Sequence, residues 1–201
     1  MDLHGAVCLV TGGTRGIGRA TAEGLRAAGA TVVAVGRADA DLSDPGEAAG
    51  LAERVLAEHG RVDVLVNNAA VRLDAPVAAV TLEALDASFQ VNCLSPIVLA
   101  GALTPGMAER GAGVVANLVA PAVSGGRRGM APYAASKAAL WSFTQTLRQE
   151  VGGKGVSVFG FDPGWVRTDL APDGTRAPEE AAAALVARIA EAPRSAREPL
   201  T

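Results

Sequence analysis

A glycine-rich turn follows the first apolar run of the chain and limits the folds that this chain can adopt. Residues 6–11 are mostly apolar and lead into Thr11-Gly12-Gly13-Thr14-Arg15-Gly16-Ile17-Gly18, after which a helical pattern continues to about Ala28. A buried strand that turns tightly into a helix needs glycine where the backbone bends and where the two elements touch. Such a junction attracts a phosphate, because the first N–H groups and the positive end of the helix face the anion.

The turn therefore predicts a site for the pyrophosphate of a dinucleotide. Gly12 would allow the tight turn, Gly16 would let the backbone approach the phosphate, and Gly18 would let helix and strand pack closely. The spacing Gly-x-x-x-Gly-x-Gly is not the commoner Gly-x-Gly-x-x-Gly, and a turn without a ligand would also need glycines here. The residues that we expect to bind the cofactor at this turn are Gly12, Thr14, Arg15, Gly16, Ile17 and Gly18.

Apolar runs and helical patterns alternate along the rest of the chain. The pattern predicts strands at residues 6–11, 31–36, 62–66, 113–119 and 155–161. It predicts helices at about residues 17–28, 47–58, 82–109, 132–151 and 178–190, with Asp44 capping the second and bends at Pro96 and Gly101 in the third. This alternation predicts an α/β fold with a parallel sheet covered by helices on both faces. A chain of 201 residues suffices for one core, so we expect a single domain over residues 1–201.

Composition and charge disfavour several kinds of partner. The net charge of −3 gives no electrostatic reason to expect nucleic acid or an anionic membrane. No segment approaches about 18 consecutive apolar residues, and the first residues lack a signal-peptide pattern, so we expect a cytoplasmic protein. Cys8 and Cys93 lie in apolar runs without metal-ligand spacing. We expect buried thiols and no metal site.

The end of the second predicted strand indicates which dinucleotide binds. A fold that selects NAD usually carries an acidic residue there, which binds the ribose 2′-hydroxyl. This chain has Gly36 followed by Arg37, and Arg15 lies in the nearby turn. Two guanidinium groups suit a 2′-phosphate, which they can bind bidentately. The pattern favours NADP over NAD, although ordinary surface charge would give the same residues.

Tyr133 and Lys137 lie four residues apart in a strongly helical stretch and therefore share one helix face. A nearby lysine ammonium favours the phenolate and would lower the pKa of the tyrosine. The phenol could then pass a proton to a carbonyl oxygen while a hydride arrives from a nicotinamide. A chance pair on a surface helix is the alternative, but Tyr133 is the only tyrosine in the chain.

Five motifs in order resemble the short-chain dehydrogenase/reductase family over nearly the whole chain. They are the turn Thr11–Gly18, Asn67-Asn68-Ala69-Ala70 with Ala70 replacing a glycine, Asn92 in Phe-Gln-Val-Asn, the Tyr133 and Lys137 pair, and Pro163-Gly164-Trp165-Val166-Arg167-Thr168. The resemblance implies a Rossmann-type doubly wound sheet. It also implies homodimers or homotetramers, formed by pairing the helices at residues 82–109 and 132–151.

The resemblance also implies roles for individual residues. Tyr133 would be the catalytic acid, Lys137 its partner that lowers its pKa and binds the ribose, and Asn92 the support of a proton-relay water. The cofactor-binding residues it adds are Asp41 and Leu42 at the adenine, Asn68, Ala69 and Ala70 at the adenosine ribose, and Pro163, Gly164, Val166 and Thr168 at the nicotinamide end.

Three departures from the family pattern bear on function. Ala120 stands where the family has its catalytic serine, and Ser124 further along could reach inward. Losing one such hydrogen-bond donor costs about 10²–10³ in rate. Residues 37–44 leave room for only a brief strand, without the helix that usually follows the second strand. Residues 169–177 form a short lid, which predicts an open site or one that a partner subunit completes, unless the chain is simply truncated here.

The leading hypothesis is an NADP(H)-dependent oxidoreductase that reduces a carbonyl or imine-like group of a small organic molecule. Because Ala120 removes a donor, two alternatives stay open: a non-redox dehydratase, isomerase or cyclase, and a nucleotide-binding scaffold with little redox activity. Apolar residues on the fourth predicted helix could serve a subunit interface or face the sheet. These residues are Leu140, Trp141, Phe143 and Leu147.

Overall fold

A single parallel sheet forms the centre of the molecule. The computed structural model describes residues 1–120 and 126–192. The strands are β1 (Val7–Thr11), β2 (Thr31–Val35), β3 (Val64–Asn67), β4 (Gly113–Leu118) and β5 (Val156–Phe161). Their order in the sheet is β2-β1-β3-β4-β5, and all neighbours pair in parallel. The predicted doubly wound α/β fold is confirmed.

Helices cover both faces of the sheet. They are α1 (Gly16–Ala27), α2 (Pro45–His59), α3 (Leu82–Phe89), α4 (Ser95–Glu109), α5 (Ala131–Val151) and α6 (Pro178–Glu191). Leu9 and Leu65 pack with α2, α4 and α5 on one face, whereas Cys8 and Val10 pack with α1 and α6 on the other. Side chains of successive strand residues point to opposite faces, so both faces of these apolar strands are buried.

The predicted helix at residues 82–109 contains an unforeseen interruption. A π-helical turn, Gln90–Leu94, separates α3 from α4. The interruption precedes Pro96, which lies in the first turn of α4 where a missing N–H is tolerated. The helix α4 continues through Gly101 without a break. By length and composition the stretch Leu82–Glu109 could cross a membrane, but half of its most apolar window is buried against the rest of the chain, as in a core helix.

The segment between β2 and α2 contains turns and irregular backbone, so the brief strand for which residues 37–44 leave room does not form. The predicted absence of a helix there is confirmed, and β2 forms one edge of the sheet. Leu42 is buried in the core, and its carbonyl oxygen accepts a 2.7 Å hydrogen bond from the buried Ser95 hydroxyl. The Asp44 carboxylate caps α2 as predicted and accepts a hydrogen bond from Gly46 N at 2.7 Å.

Three buried polar side chains join β3 and β4 to α5. Asn67 Nδ2 donates to Asn117 Oδ1 at 2.8 Å, and Asn117 Nδ2 donates to Thr144 Oγ1 at 2.8 Å. Thr144 Oγ1 in turn donates to the Leu140 carbonyl oxygen at 2.7 Å. All three side chains are at most 1% exposed. Because a buried polar group left unpaired is costly, these bonds fix α5 relative to the ends of the strands.

We predict that Thr144→Val lowers the free energy of unfolding by about 1–3 kcal/mol, because Asn117 Nδ2 would lose its acceptor in the interior. Thr146→Val is the matched control, since Thr146 Oγ1 makes the same kind of backbone bond to Ser142 but is exposed. We expect a change within about 0.5 kcal/mol for the control. Urea unfolding measures both, and equal effects of the two substitutions would contradict the role of Thr144.

Candidate active site

A large cavity runs across the carboxyl ends of the strands. It measures about 620 Å³ and extends from the glycine-rich turn at Gly12, past Leu42, to Tyr133 and Lys137. A second cavity of about 410 Å³ shares Tyr133, Pro163 and Thr168 with it. We call the first the nucleotide cavity and the second the inner cavity. Ligands of open parallel sheets bind at this edge, so the fold places both cavities where a site is expected.

The glycine-rich turn is braced by the residues that follow β3. Asn68 Nδ2 donates to the carbonyl oxygens of Thr11 at 2.9 Å and Gly12 at 3.1 Å. The Thr11 hydroxyl accepts hydrogen bonds from the backbone N–H groups of Asn68 and Ala69, both at 3.1 Å. Asn68 therefore holds the turn as well as lining the nucleotide cavity.

The glycines of this turn stand where the backbone is left-handed or where a side chain would clash with a neighbouring backbone atom. Gly12 and Gly16 have φ of 62° and 52°, in the left-handed region that favours glycine. A Cβ atom on Gly18 would lie 2.1 Å from the Gly12 carbonyl oxygen. Gly18 does not line the nucleotide cavity, which agrees with its predicted role in helix–strand packing.

This turn fits the pyrophosphate of a dinucleotide. Thr14, Arg15, Gly16 and Ile17 line the nucleotide cavity at the first turn of α1. The first turn of α1 carries no acidic residue, and the Arg15 side chain does not cap it. The helix therefore presents N–H groups and the positive end of its dipole to an anion.

Both arginines predicted to bind a 2′-phosphate line the nucleotide cavity, but each already has a carboxylate partner. Arg15 pairs with Asp169 at 2.8 Å and Arg37 pairs with Asp41 at 3.1 Å. Hydrogen bonds from Ser43, assisted by Arg37, hold the pKa of Asp41 below its usual value. Both ion pairs are exposed, so each contributes little and can be exchanged for a phosphate at small cost.

The remaining cofactor residues proposed from the family pattern also fall on the two cavities. Asp41, Leu42, Asn68, Ala69, Ala70 and Thr168 line the nucleotide cavity, Gly164 and Val166 line the inner cavity, and Pro163 lines both. Gly164 has φ of 77°, and its N–H donates to Asp162 Oδ1 at 2.9 Å.

Tyr133 and Lys137 come together on α5, but their charges do not interact as the sequence predicts. Lys137 is 2% exposed, and its Nζ donates to the Leu118 carbonyl oxygen at 2.7 Å and lies 6.0 Å from the centre of the Tyr133 ring. Burial raises the pKa of Tyr133 to about 12 and lowers that of Lys137 to about 8. The predicted lowering of the tyrosine pKa by Lys137 is therefore wrong. The cation that lowers it is Arg72, and burial outweighs this effect.

A phenol with this pKa is almost fully protonated at neutral pH, and Tyr133 lies between the nucleotide and inner cavities. A protonated phenol hydroxyl therefore lies at the junction of the two. Ala120 lies beside it in the wall of the inner cavity and is 8% exposed. Ala120 therefore contributes an apolar methyl group to this wall. Ser124, the other candidate donor, lies outside the described residues.

Asn92 lies in the π-helical turn and is completely buried. Its Oδ1 accepts from Val71 N at 2.8 Å, and its Nδ2 donates to Val71 O and to Ser136 Oγ, both at 2.9 Å. Ser136 Oγ donates to the Tyr133 carbonyl oxygen at 2.8 Å. Asn92 therefore ties the loop after β3 to the turn of α5 that carries Tyr133. Its side chain does not line either cavity.

The inner cavity contains residues that sequence reasoning missed. Its lining includes Arg72, Arg127, Met130 and Trp165. The sequence pattern contains Trp165 only as part of the Pro163–Thr168 motif and predicts no role for it. Arg72 and Arg127 are far apart in sequence and belong to no motif, so only the packing of their loops reveals that they share a site.

Comparison with known proteins identifies the family. The short chain dehydrogenase model matches residues 6–44 and 37–179. The chain belongs to the short-chain dehydrogenase family. It is 38% identical over 204 residues to L-xylulose reductase from Bos taurus, with 92% of this chain and 82% of that protein covered. It is 31% identical over 188 residues to the 3-oxoacyl-acyl-carrier-protein reductase FabG of Escherichia coli, with 85% and 77% covered.

A solved structure of similar shape gives the same result for this short-chain dehydrogenase. It is a putative NAD(P)-dependent gluconate 5-dehydrogenase from Beutenbergia cavernae with bound NADP at low occupancy. The TM-score is 0.86 at 34% identity, with 92% of this chain and 89% of that chain covered. Together these relatives support a nicotinamide-dependent oxidoreductase.

We predict that Gly18→Ala weakens NADPH binding at least about tenfold and destabilises the fold by about 1–3 kcal/mol, because the added methyl group would overlap the Gly12 carbonyl oxygen. Gly101→Ala is the matched control, since a Cβ atom there meets nothing within 4 Å. Titration of NADPH fluorescence and urea unfolding measure the two effects. Unchanged binding and stability in Gly18→Ala would show that the turn tolerates a wider helix–strand contact.

Proposed function

We propose that this short-chain dehydrogenase uses NADP(H) to reduce a carbonyl or imine-like group of a small organic molecule. The observation that carries the proposal is the position of Tyr133, a protonated phenol at the junction of the nucleotide cavity and the inner cavity. The named relatives are reductases or dehydrogenases, which supports a redox reaction over a dehydratase, isomerase or cyclase.

Each catalytic residue has a task that follows from its contacts. The nicotinamide supplies a hydride when the cofactor is bound. Tyr133, whose phenol is protonated at neutral pH, would donate the proton to the substrate oxygen or nitrogen. The buried amine of Lys137 lies at the end of β4 beside the nucleotide cavity, where it can donate a hydrogen bond to a ribose hydroxyl. Asn92 positions Tyr133 through Ser136.

The absence of a hydroxyl at Ala120 limits the substrates that suit this site. A ketone that gains negative charge on its oxygen benefits from a second donor, and removing one donor costs about 10²–10³ in rate. An iminium substrate needs no such stabilisation. A ketone activated by its own neighbouring groups needs less of it. We therefore propose substrates of these two kinds over simple dialkyl ketones.

NADP(H) is proposed over NAD(H) because Arg15 and Arg37 line the nucleotide cavity near Gly36. A Cβ atom at position 36 would lie 2.7 Å from Thr14 Oγ1, so a larger acidic residue has no room at the end of β2. The relative from Beutenbergia cavernae holds NADP, which supports the same choice.

We predict that Arg37→Ala raises the KM for NADPH about fivefold to tenfold and leaves the KM for NADH unchanged, because an exposed guanidinium would be lost from the 2′-phosphate. Arg19→Ala is the control, since Arg19 pairs with Glu23 on α1 and does not line the nucleotide cavity. An equal effect on both cofactors would contradict the assignment of Arg37.

We predict that Tyr133→Phe lowers kcat by about 10²–10⁴-fold with NADPH binding nearly unchanged, because only the proton donor is lost. Rates with a panel of carbonyl and imine substrates test this, and a variant that keeps full activity would refute it.

In the wild type, we expect kcat/KM to fall as the pH rises through about 8, where Lys137 loses its charge. Lys137→Arg should remove this inflection, because a guanidinium stays protonated.

Assembly and location are also proposals. We propose a homodimer or homotetramer, because Trp141 on α5 and Leu94 before α4 are each 38% exposed. Leu140 and Leu147 face the core, whereas Trp141 lies against Gly160 of β5. Light scattering would measure the oligomer.

We propose a cytoplasmic location, because Cys8 and Cys93 are free buried thiols and burial raises the pKa of Cys8 to about 12.

A further inference from the structure

The inner cavity carries positive charge without an acidic residue in its lining. Arg72 and Arg127 line it, and none of the described residues that line it is Asp or Glu, although Asp74 pairs with Arg72 just outside the lining. The rest of its wall is largely apolar, with Ile17, Val119, Met130, Leu170 and Ala171. A cavity with apolar walls and cationic groups suits a small organic anion.

Trp165 holds both guanidinium groups at one place. The Arg127 guanidinium carbon lies 4.5 Å from the centre of the indole, and that of Arg72 lies 5.5 Å from it. Stacking of guanidinium on indole is favourable and leaves the N–H groups at its edge available for other partners. Arg72 is held further by Asp74, through bonds of 2.6–2.9 Å, and by the Leu170 carbonyl oxygen at 3.1 Å.

Arg127 differs from the other arginines of the two cavities. Arg15 pairs with Asp169, Arg37 with Asp41, and Arg72 with Asp74. Within residues 1–120 and 126–192, Arg127 has no carboxylate partner and contacts the Trp165 ring instead. Its exposed guanidinium therefore lines the same cavity as Tyr133, and no carboxylate of the described residues occupies its N–H groups.

From this arrangement we propose that the substrate carries an anionic oxygen group, a carboxylate or a phosphate, which Arg127 binds with support from Arg72. This inference rests on the proposed function and narrows its substrate to a small carbonyl or imine compound that carries a carboxylate or a phosphate. Fork-shaped guanidinium groups bind such anions bidentately and would fix the distance from the anion to the reacting carbon.

The reaction at such a substrate is balanced by the groups already named. The reacting C=O or C=N carbon gains a hydride from the reduced nicotinamide, and the oxygen or nitrogen gains the proton of Tyr133. The π bond breaks, the dinucleotide is oxidised, the substrate is reduced, and solvent returns a proton to Tyr133. The anionic group takes no part in bond changes. Its function is to hold the carbonyl or imine group against Tyr133.

The first measurement tests binding without any turnover. Benzoate, phenyl phosphate and the neutral benzamide are titrated into the protein saturated with NADPH, with tryptophan fluorescence as the readout. We expect an anion to bind at least about tenfold more tightly than benzamide, and Arg127→Gln to abolish this difference. Whichever of the two anions binds better identifies the group as carboxylate or phosphate. Equal binding of benzoate, phenyl phosphate and benzamide by the wild type would overturn the inference.

Matched variants separate the charge of Arg127 from general effects. Arg128→Gln removes an exposed arginine next in the chain that does not line the inner cavity, and we expect it to bind like the wild type. Arg127→Lys keeps the positive charge but loses the bidentate guanidinium, and it should retain part of the preference for anions over benzamide. A loss of anion preference in Arg128→Gln equal to that in Arg127→Gln would overturn the assignment to Arg127.

The second measurement tests turnover with short oxo acids and their methyl esters. We expect kcat/KM to be at least about tenfold higher for the acid than for the ester. We expect Arg127→Gln to lower kcat/KM for the acid and to leave kcat/KM for the ester unchanged. If acid and ester are reduced equally well, the inference fails while the proposed reductase stands. If neither is reduced but anions still bind through Arg127, the proposed reaction fails while the anion site stands.

Discussion

Asn67 and Asn68 follow one another where β3 ends, and their hydrogen bonds connect most of the parts that build the site. Asn68 braces the glycine-rich turn through the carbonyl oxygens of Thr11 and Gly12. Asn67 begins the chain of buried bonds through Asn117 to Thr144 on α5. The parallel sheet makes this possible, because all its strands end at the same edge. The glycine-rich turn and the helix that carries Tyr133 are thus fixed relative to each other by two adjacent side chains.

Burial shifts the pKa values of the two titratable groups on α5. Both Tyr133 and Lys137 are pushed toward their neutral forms, with pKa values of about 12 and about 8. The phenol is therefore protonated at neutral pH, which a proton donor in the proposed reduction requires. The Lys137 amine, held by the Leu118 carbonyl oxygen, contributes through its position at the end of β4.

Cations are arranged differently in the two cavities. The arginines beside the nucleotide cavity are exposed and paired with carboxylates, so they can exchange one anion for another. In the inner cavity, an indole holds Arg72 and Arg127 close to Tyr133. The arginines and the phenol are the main polar groups in that wall. Selectivity for the proposed substrate would then depend on charge.

The sequence by itself determined the parallel α/β fold, the glycine-rich turn and the pairing of Tyr133 with Lys137 on one helix. Each of these depends on the short-range spacing of glycines, apolar runs or helix neighbours. Only the tertiary structure decided the π-helical turn at Asn92, the shift of the Tyr133 pKa and the grouping of Arg72, Arg127 and Trp165. The physical reason is distance along the chain. Burial and electrostatic fields come from segments that no local pattern connects, and loops of irregular shape bring those segments together.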